Sequence, residues 1–127
     1  MPYYAHIRQD ENGQTIYQTV AEHLTGTAAL CREFAADFGA EADGDLMGLA
    51  HDLGKCTDAF QKRLLEGGPV VDHTTAGMLT CIKMKRPSAA ACVAGHHGGL
   101  LDVGNLRTDR AGEATLSGRF IKGVEGH

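Results

Sequence analysis

The sequence predicts an all-α helical bundle with a short β-hairpin at its front, and three observations carry that prediction. Apolar residues recur at three- and four-residue steps through most of the chain. Glycine, proline and Ser, Thr or Asp punctuate it at helix-length intervals. Alternation of apolar and polar residues is confined to the start, where Tyr3, Ala5 and Ile7, then Ile16 and Tyr17, flank D-E-N-G.

The elements follow in order. Asn12-Gly13 is a tight-turn signal and sets the hairpin. From about residue 18 the period changes: Val20, Leu24, Thr27, Ala28, Cys31, Phe34, Ala35 and Phe38 share one face of a first helix that Gly39 stops. A second helix fits residues 45–53, with Asp43 or Gly44 near its cap and Gly54 just past its end. Thr57-Asp58 caps a third, which carries Phe60, Leu64 and Leu65 and ends at Gly67-Gly68. A fourth is expected from about Asp72 to Lys85, closed by Pro87. Ser88 is the expected cap of a fifth, A-A-A-C-V-A-G-H-H, which meets Gly98-Gly99. Residues 1–104 therefore read as one domain core, and residues 105–127, rich in Gly, Arg, Glu and Thr, as an irregular or partly disordered tail.

With 127 residues the chain is long enough for one core and too short for two. No apolar run approaches the roughly 18 residues of a membrane span, and M-P-Y-Y-A-H-I-R lacks the pattern of a secretory signal. Cys31, Cys56, Cys81 and Cys92 show no paired spacing, and three of them sit among apolar neighbours as small buried hydrophobes do. A reduced, cytoplasmic protein with no membrane partner is the expectation. The net charge of -4 argues against a general nucleic-acid coat but not against a nuclease, whose metal ions supply positive charge locally.

Seven histidines stand out in so short a chain. His23 lies on the border of the first apolar stripe. His51-Asp52 closes the second helix, His73 opens the fourth, and His96-His97 closes the fifth. In helical bundles, metal sites are built from inward side chains of facing helices. Imidazole suits Mn, Fe, Co, Ni and Zn, and a carboxylate can bridge two ions. Residues 51 and 52 point about 100° apart on a helix, a geometry that suits two metals with Asp52 between them. Lys55 is then a cation for an anionic substrate. The simpler reading is a helix C-terminus, with His51 and Lys55 against the last carbonyls and Asp52 paired to Lys55.

In this order, His23, His51-Asp52, His73 and His96-His97 resemble the HD superfamily of metal-dependent phosphohydrolases. The stretches H-D-L-G-K-x-x-x-x-F-Q, D-H-T-T-A-G and A-G-H-H-G-G resemble the HD nuclease domain of the CRISPR-associated nuclease-helicase of type I interference. The resemblance covers residues 1 to about 101, including A-H-I-R and Q-T-V-A-E-H-L-x-G-T-A. It implies that Asp52, His73, His96 and His97 hold one divalent transition metal, that His23, His51 and Asp52 hold a second, and that Lys55 assists at the phosphate. It further implies single-stranded DNA as substrate, with a helicase domain and a guide-RNA surveillance complex as partners. Lys62-Arg63 and Lys83, Lys85 and Arg86 are the candidate strand contacts, although a solvated helix face is the simpler reading of both.

One departure stands out. The family usually adds a further aspartate on a helix well downstream of the paired histidines, and here only Asp102 and Asp109 follow, both in Gly-rich sequence. The expectation is therefore the front of a larger protein, or a shortened domain, with one metal site short of a ligand. A nucleotide or cyclic-dinucleotide phosphohydrolase of the same superfamily is the alternative enzyme. That branch usually follows its histidine pair with an acidic residue and a G-Y-P signature, where this chain has Gly98-Gly99-Leu100. A third reading is an inactive metal-binding fragment, and a four-cysteine zinc site is a distant fourth.

Overall fold

The computed structural model describes residues 1–124. Its elements are β1 (Tyr4–Gln9), β2 (Thr15–Thr19), α1 (Val20–Ala36), α2 (Glu41–Ala50), a single 3-10 turn (Leu53–Lys55), α3 (Asp58–Glu66), α4 (Thr75–Lys83), α5 (Pro87–Gly95) and α6 (Leu116–Lys122). The fold is an all-α bundle with an N-terminal antiparallel hairpin. None of the described helices is long and apolar enough to cross a membrane.

The hairpin pairs Ile7 with Tyr17 and Arg8 with Ile16, and its chain turns at Gly13 (φ 77°). It is pinned to the bundle by Gln61, whose Nε2 donates to Tyr4 O (2.8 Å) and whose Oε1 accepts from Tyr4 N (3.0 Å). The same Nε2 donates to Lys55 O (2.9 Å), so Gln61 joins the hairpin to the turn after α2. A capping box opens α1: Thr19 Oγ1 accepts from Glu22 N, and the Glu22 carboxylate accepts from Thr19 N.

Val20, Leu24, Ala28 and Ala35 form the buried stripe of α1. Phe34 and Phe38, expected on that stripe, are 65% and 76% exposed, because α2 crosses on the side of Ala28 and Ala35. The core is built from small and flexible residues, with Ala50, Met78, Cys81, Ala89, Ala90, Val93 and Ala94 packed together. Small side chains let the helices approach closely. Gly77 of α4 lies so near that an added Cβ would collide with the Ala50 carbonyl at the end of α2.

Several expected boundaries move. Helix α2 begins at Glu41 rather than residue 45, and Gly44 is not a cap. It is a buried helical glycine facing the Cys31 carbonyl and Ala35 Cβ of α1. Asp72 is not helical; its carboxylate accepts from Thr74 N (2.9 Å) and Thr75 N (3.2 Å), and α4 starts at Thr75. Pro87 occupies the first turn of α5, where its missing N–H costs nothing, so Ser88 is inside the helix and not its cap. Cys92 is exposed, and only Cys81 of the four thiols is fully buried.

The expected irregular tail is also corrected in part. Residues 105–115 are irregular, but α6 follows, with Thr115 Oγ1 accepting from Gly118 N (2.9 Å) as its cap. It docks back on the bundle through Leu116, which packs against the core cluster. His127 and the two residues before it lie outside the described residues.

Candidate metal centre

Asp52 is the hub. It follows the last turn of α2 with only 3% of its surface exposed. Its Oδ2 lies 3.0 Å from His23 Nε2, 3.2 Å from His51 Nε2 and 2.9 Å from Lys55 Nζ. Its Oδ1 lies 3.3 Å from His96 Nε2 and 3.5 Å from His73 Nε2, yet it is buried without a hydrogen bond to any of the described residues. A buried carboxylate oxygen left without a partner is costly.

Local structure aims the imidazoles. His51 caps the C-terminus of α2, and its Nδ1 lies 2.8 Å from Gly48 O. His96 does the same on α5, with Nδ1 2.7 Å from Val93 O. His73 precedes α4, with Nδ1 3.3 Å from Val71 O. A carbonyl can only accept, so each Nδ1 carries a proton, and in the neutral ring each Nε2 then presents a lone pair toward the centre. The backbone carbonyls are the outer shell that fixes tautomer and ring orientation in metal-binding histidines. The turn after α2 contributes too: Gly54 lies against the His73 backbone, where an added Cβ would sit 2.5 Å from His73 Cα.

The spacing of these donors is informative. His23 Nε2 and His51 Nε2 are 3.0 Å apart, and His73 Nε2 and His97 Nε2 are 2.9 Å apart. Adjacent ligands about 2.1 Å from one ion, at right angles, are separated by about 3 Å. Lone-pair nitrogens this close to each other and to a carboxylate repel unless a proton or a cation lies among them. Among the described residues, two groups have donor atoms all within 4.8 Å of one another: Asp52, His73, His96 and His97, and His6, His23 and Asp52. The residues present therefore fit a divalent metal, on donor chemistry and on the orphaned Oδ1 alike.

Electrostatics agree. Burial pushes the Asp52 carboxyl upward, but the close side chains of His51, His96 and Lys55 outweigh it and hold the group well below the usual carboxylate range. Asp52 is thus ionised at neutral pH. The Asp52 contact raises the His96 pKa despite burial. Burial is the main reason that His6, His23 and His97 are lowered, so these imidazoles favour the neutral form a ligand requires.

Every metal-ligand candidate expected from sequence comes together here: His23, His51, Asp52, His73, His96 and His97. Lys55 comes as well, but in a different setting from an outward-reaching cation. It is 5% exposed, and its Nζ faces Asp52 Oδ2, Ala5 O (3.3 Å) and His6 Nε2 (3.4 Å). The expected strand contacts are not gathered at the centre. Lys83, Lys85 and Arg86 lie at the opposite end of α4 from His73, about 13 Å of helix away. Arg86 pairs with Asp43 (2.9 Å), Arg63 donates to Gly68 O (2.6 Å), and Lys62 is exposed on α3. Neither downstream aspartate reaches the cluster. Asp109 Oδ2 accepts from Asn105 N and Thr115 Oγ1, and Asp102 bridges to Thr115 through its backbone.

Sequence reasoning missed His6. It projects from β1 with its ring 4.7 Å from that of His23. The alternation of the first strand gave it no mark as a ligand, since it reads as one more polar hairpin residue.

The family profile described as HD domain matches residues 20–121, from the first turn of α1 into α6. No match is found among curated proteins.

Proposed function

This chain belongs to the HD domain family, and from that membership we propose that it hydrolyses phosphodiesters of single-stranded DNA at a two-metal centre built around Asp52. The superfamily is one of metal-dependent phosphohydrolases, and the His/Asp cluster is the part of this chain that suits such chemistry. The observation that carries the proposal is Asp52 Oδ1, buried, ionised and unpartnered between His96 and His73.

In this reading Asp52, His73, His96 and His97 hold one divalent ion, and His23, His51 and Asp52 hold the other, with His6 at hand as a further donor. Mn, Fe, Co, Ni and Zn all suit such a donor set. Divalent ions held by these residues would supply Lewis acidity at the phosphoryl group and a more acidic water. The chain's own residues do the positioning. Asp52 joins the two halves of the site, and Gly48, Val93 and Val71 carbonyls keep the imidazole lone pairs inward. Lys55 neutralises part of the Asp52 charge from the buried side and holds Oδ2 in place.

The finer assignment, to the nuclease of CRISPR interference with a helicase domain and guide-RNA complex as partners, is supported by D-H-T-T-A-G, A-G-H-H-G-G and the Phe60-Gln61 pair. The structure gives the last of these a job, since Gln61 ties the hairpin to Lys55. The test is cleavage of single-stranded DNA, duplex DNA and a cyclic dinucleotide by protein loaded with each metal in turn. Preference for the single strand is expected. A faster reaction on the cyclic dinucleotide would transfer the assignment to the cyclic-dinucleotide branch, and no reaction with any metal would leave a metal-binding fragment.

A further inference from the structure

We propose that Arg119, on the short helix α6, is a positioning residue for the metal ligands His73, His96 and His97. The inference rests on the reading that these histidines and Asp52 hold one ion. Arg119 Nη1 donates to Thr74 Oγ1 (3.0 Å) and to Ala94 O (2.7 Å). Thr74 is the residue after His73, at the entry to α4, and Ala94 lies two residues before His96, in the last turn of α5. One guanidinium nitrogen thus joins the two segments that must hold His73 and His97 with their Nε2 atoms 2.9 Å apart.

A single hydrogen bond between the two rings is a modest tie, so further bonds between the segments matter to where the two nitrogens sit. Charge-assisted bonds to a hydroxyl and a carbonyl suit that task, being stronger than neutral ones. The arginine also comes from a braced platform. Leu116 N donates to Asp102 O (2.9 Å), Ser117 N and Oγ donate to Val103 O (3.0 and 2.9 Å), and Asp109 accepts from the capping Thr115. A helix of seven residues has little stability alone, so α6 exists because it is docked. The arrangement gives the C-terminal segment a role at the metal centre without supplying a ligand. Arg119 also borders a cleft of about 570 Å³ together with His73 and His97, which makes direct contact with substrate the competing role.

Cobalt(II) titration, followed by its visible absorption, separates the roles. In a His23→Ala parent the signal reports the His73 side of the centre, and in a His73→Ala parent it reports the His23 side. Arg119→Met keeps the aliphatic stem and removes both bonds. It is expected to weaken cobalt binding about tenfold in the first parent and to leave the second unchanged. Arg119→Lys, whose single nitrogen can make both bonds, is expected to recover most of the loss. Unchanged affinity in the first parent would overturn the inference alone and leave Arg119 to substrate. Equal loss in both parents, or a chain unfolded by circular dichroism, would overturn it in favour of a general stabilising role. If the His23→Ala parent binds no cobalt, the ligand assignment falls, and this inference falls with it.

Discussion

His23 and His51 hold their Nε2 atoms 3.0 Å apart, and both nitrogens lie within 3.2 Å of the same Asp52 oxygen. Because His51 Nδ1 is committed to Gly48 O, the His51 nitrogen facing that triangle carries a lone pair. The arrangement needs a proton or a cation among these three atoms. Asp52→Ala removes the one group common to both halves of the site, so metal content per chain should fall further than for any single histidine change. Full metal retention by the variant, measured by elemental analysis, would show that Asp52 does not bridge.

Metal should also stabilise the fold. At a free concentration of 100 times Kd, a ligand bound only by the native chain adds about 2.7 kcal/mol, or several degrees in Tm. Addition of manganese or zinc should raise Tm, and a chelator should reverse the rise. A Tm indifferent to both would mean that the cluster is satisfied by protons alone.

The turn after Asp52 is a second test. A methyl group on Gly54 would press on the His73 backbone, with Cβ 2.5 Å from both Cα and the carbonyl oxygen. Gly54→Ala should cost about 2 kcal/mol, typical of overpacking, and should weaken metal binding because His73 is the residue displaced. Chemical denaturation and cobalt titration of the variant check the two effects. A loss of stability with metal affinity intact would place the strain elsewhere.

Asp72 predicts a pH dependence. Burial would raise its carboxyl, but hydrogen bonds from Thr75 and Thr74 outweigh that and lower it. A group depressed in the folded state contributes stability above its unfolded pKa, about 3.9 for Asp, and loses it as pH falls through the folded value. Asp72→Ala should therefore destabilise the chain by about 1 kcal/mol at pH 7, as a lost helix cap does. The gap between variant and parent should narrow as pH falls below the unfolded value of about 3.9. A gap independent of pH would remove the charge from the explanation.

Much of the site was legible because its spacing is local. His51 and Asp52 are adjacent, His96 and His97 are adjacent, and each pair sits where a glycine signals a helix end. The rest depended on contacts distant in sequence. Gly44 looks like a cap in sequence, and only the approach of α1 shows that it is a packing surface. His6 joins the cluster because Gln61, Lys55 and the packing of Ala5 on Val20 and Leu24 hold the hairpin against the bundle. Helix α6 carries Leu116, Phe120 and Ile121 at helical spacing, but glycine and charge around them hide the pattern. Its order comes from docking rather than from propensity. Lys55 was legible as part of the motif, whereas its burial against Ala5 and His6 was not.

The central claim is that the cluster around Asp52 is a metal-dependent phosphodiesterase centre, and the most direct measurement is cleavage of single-stranded DNA across a manganese titration, for the parent chain and for Asp52→Asn. That variant keeps the side-chain shape and removes the negative charge that the ions require. The account predicts cleavage that rises with manganese in the parent, is abolished by a chelator, and falls by at least about a hundredfold in the variant, as when a group that orients the catalytic machinery is removed. Cleavage by the variant at the parent's rate, or cleavage by the parent that persists in chelator, would contradict it.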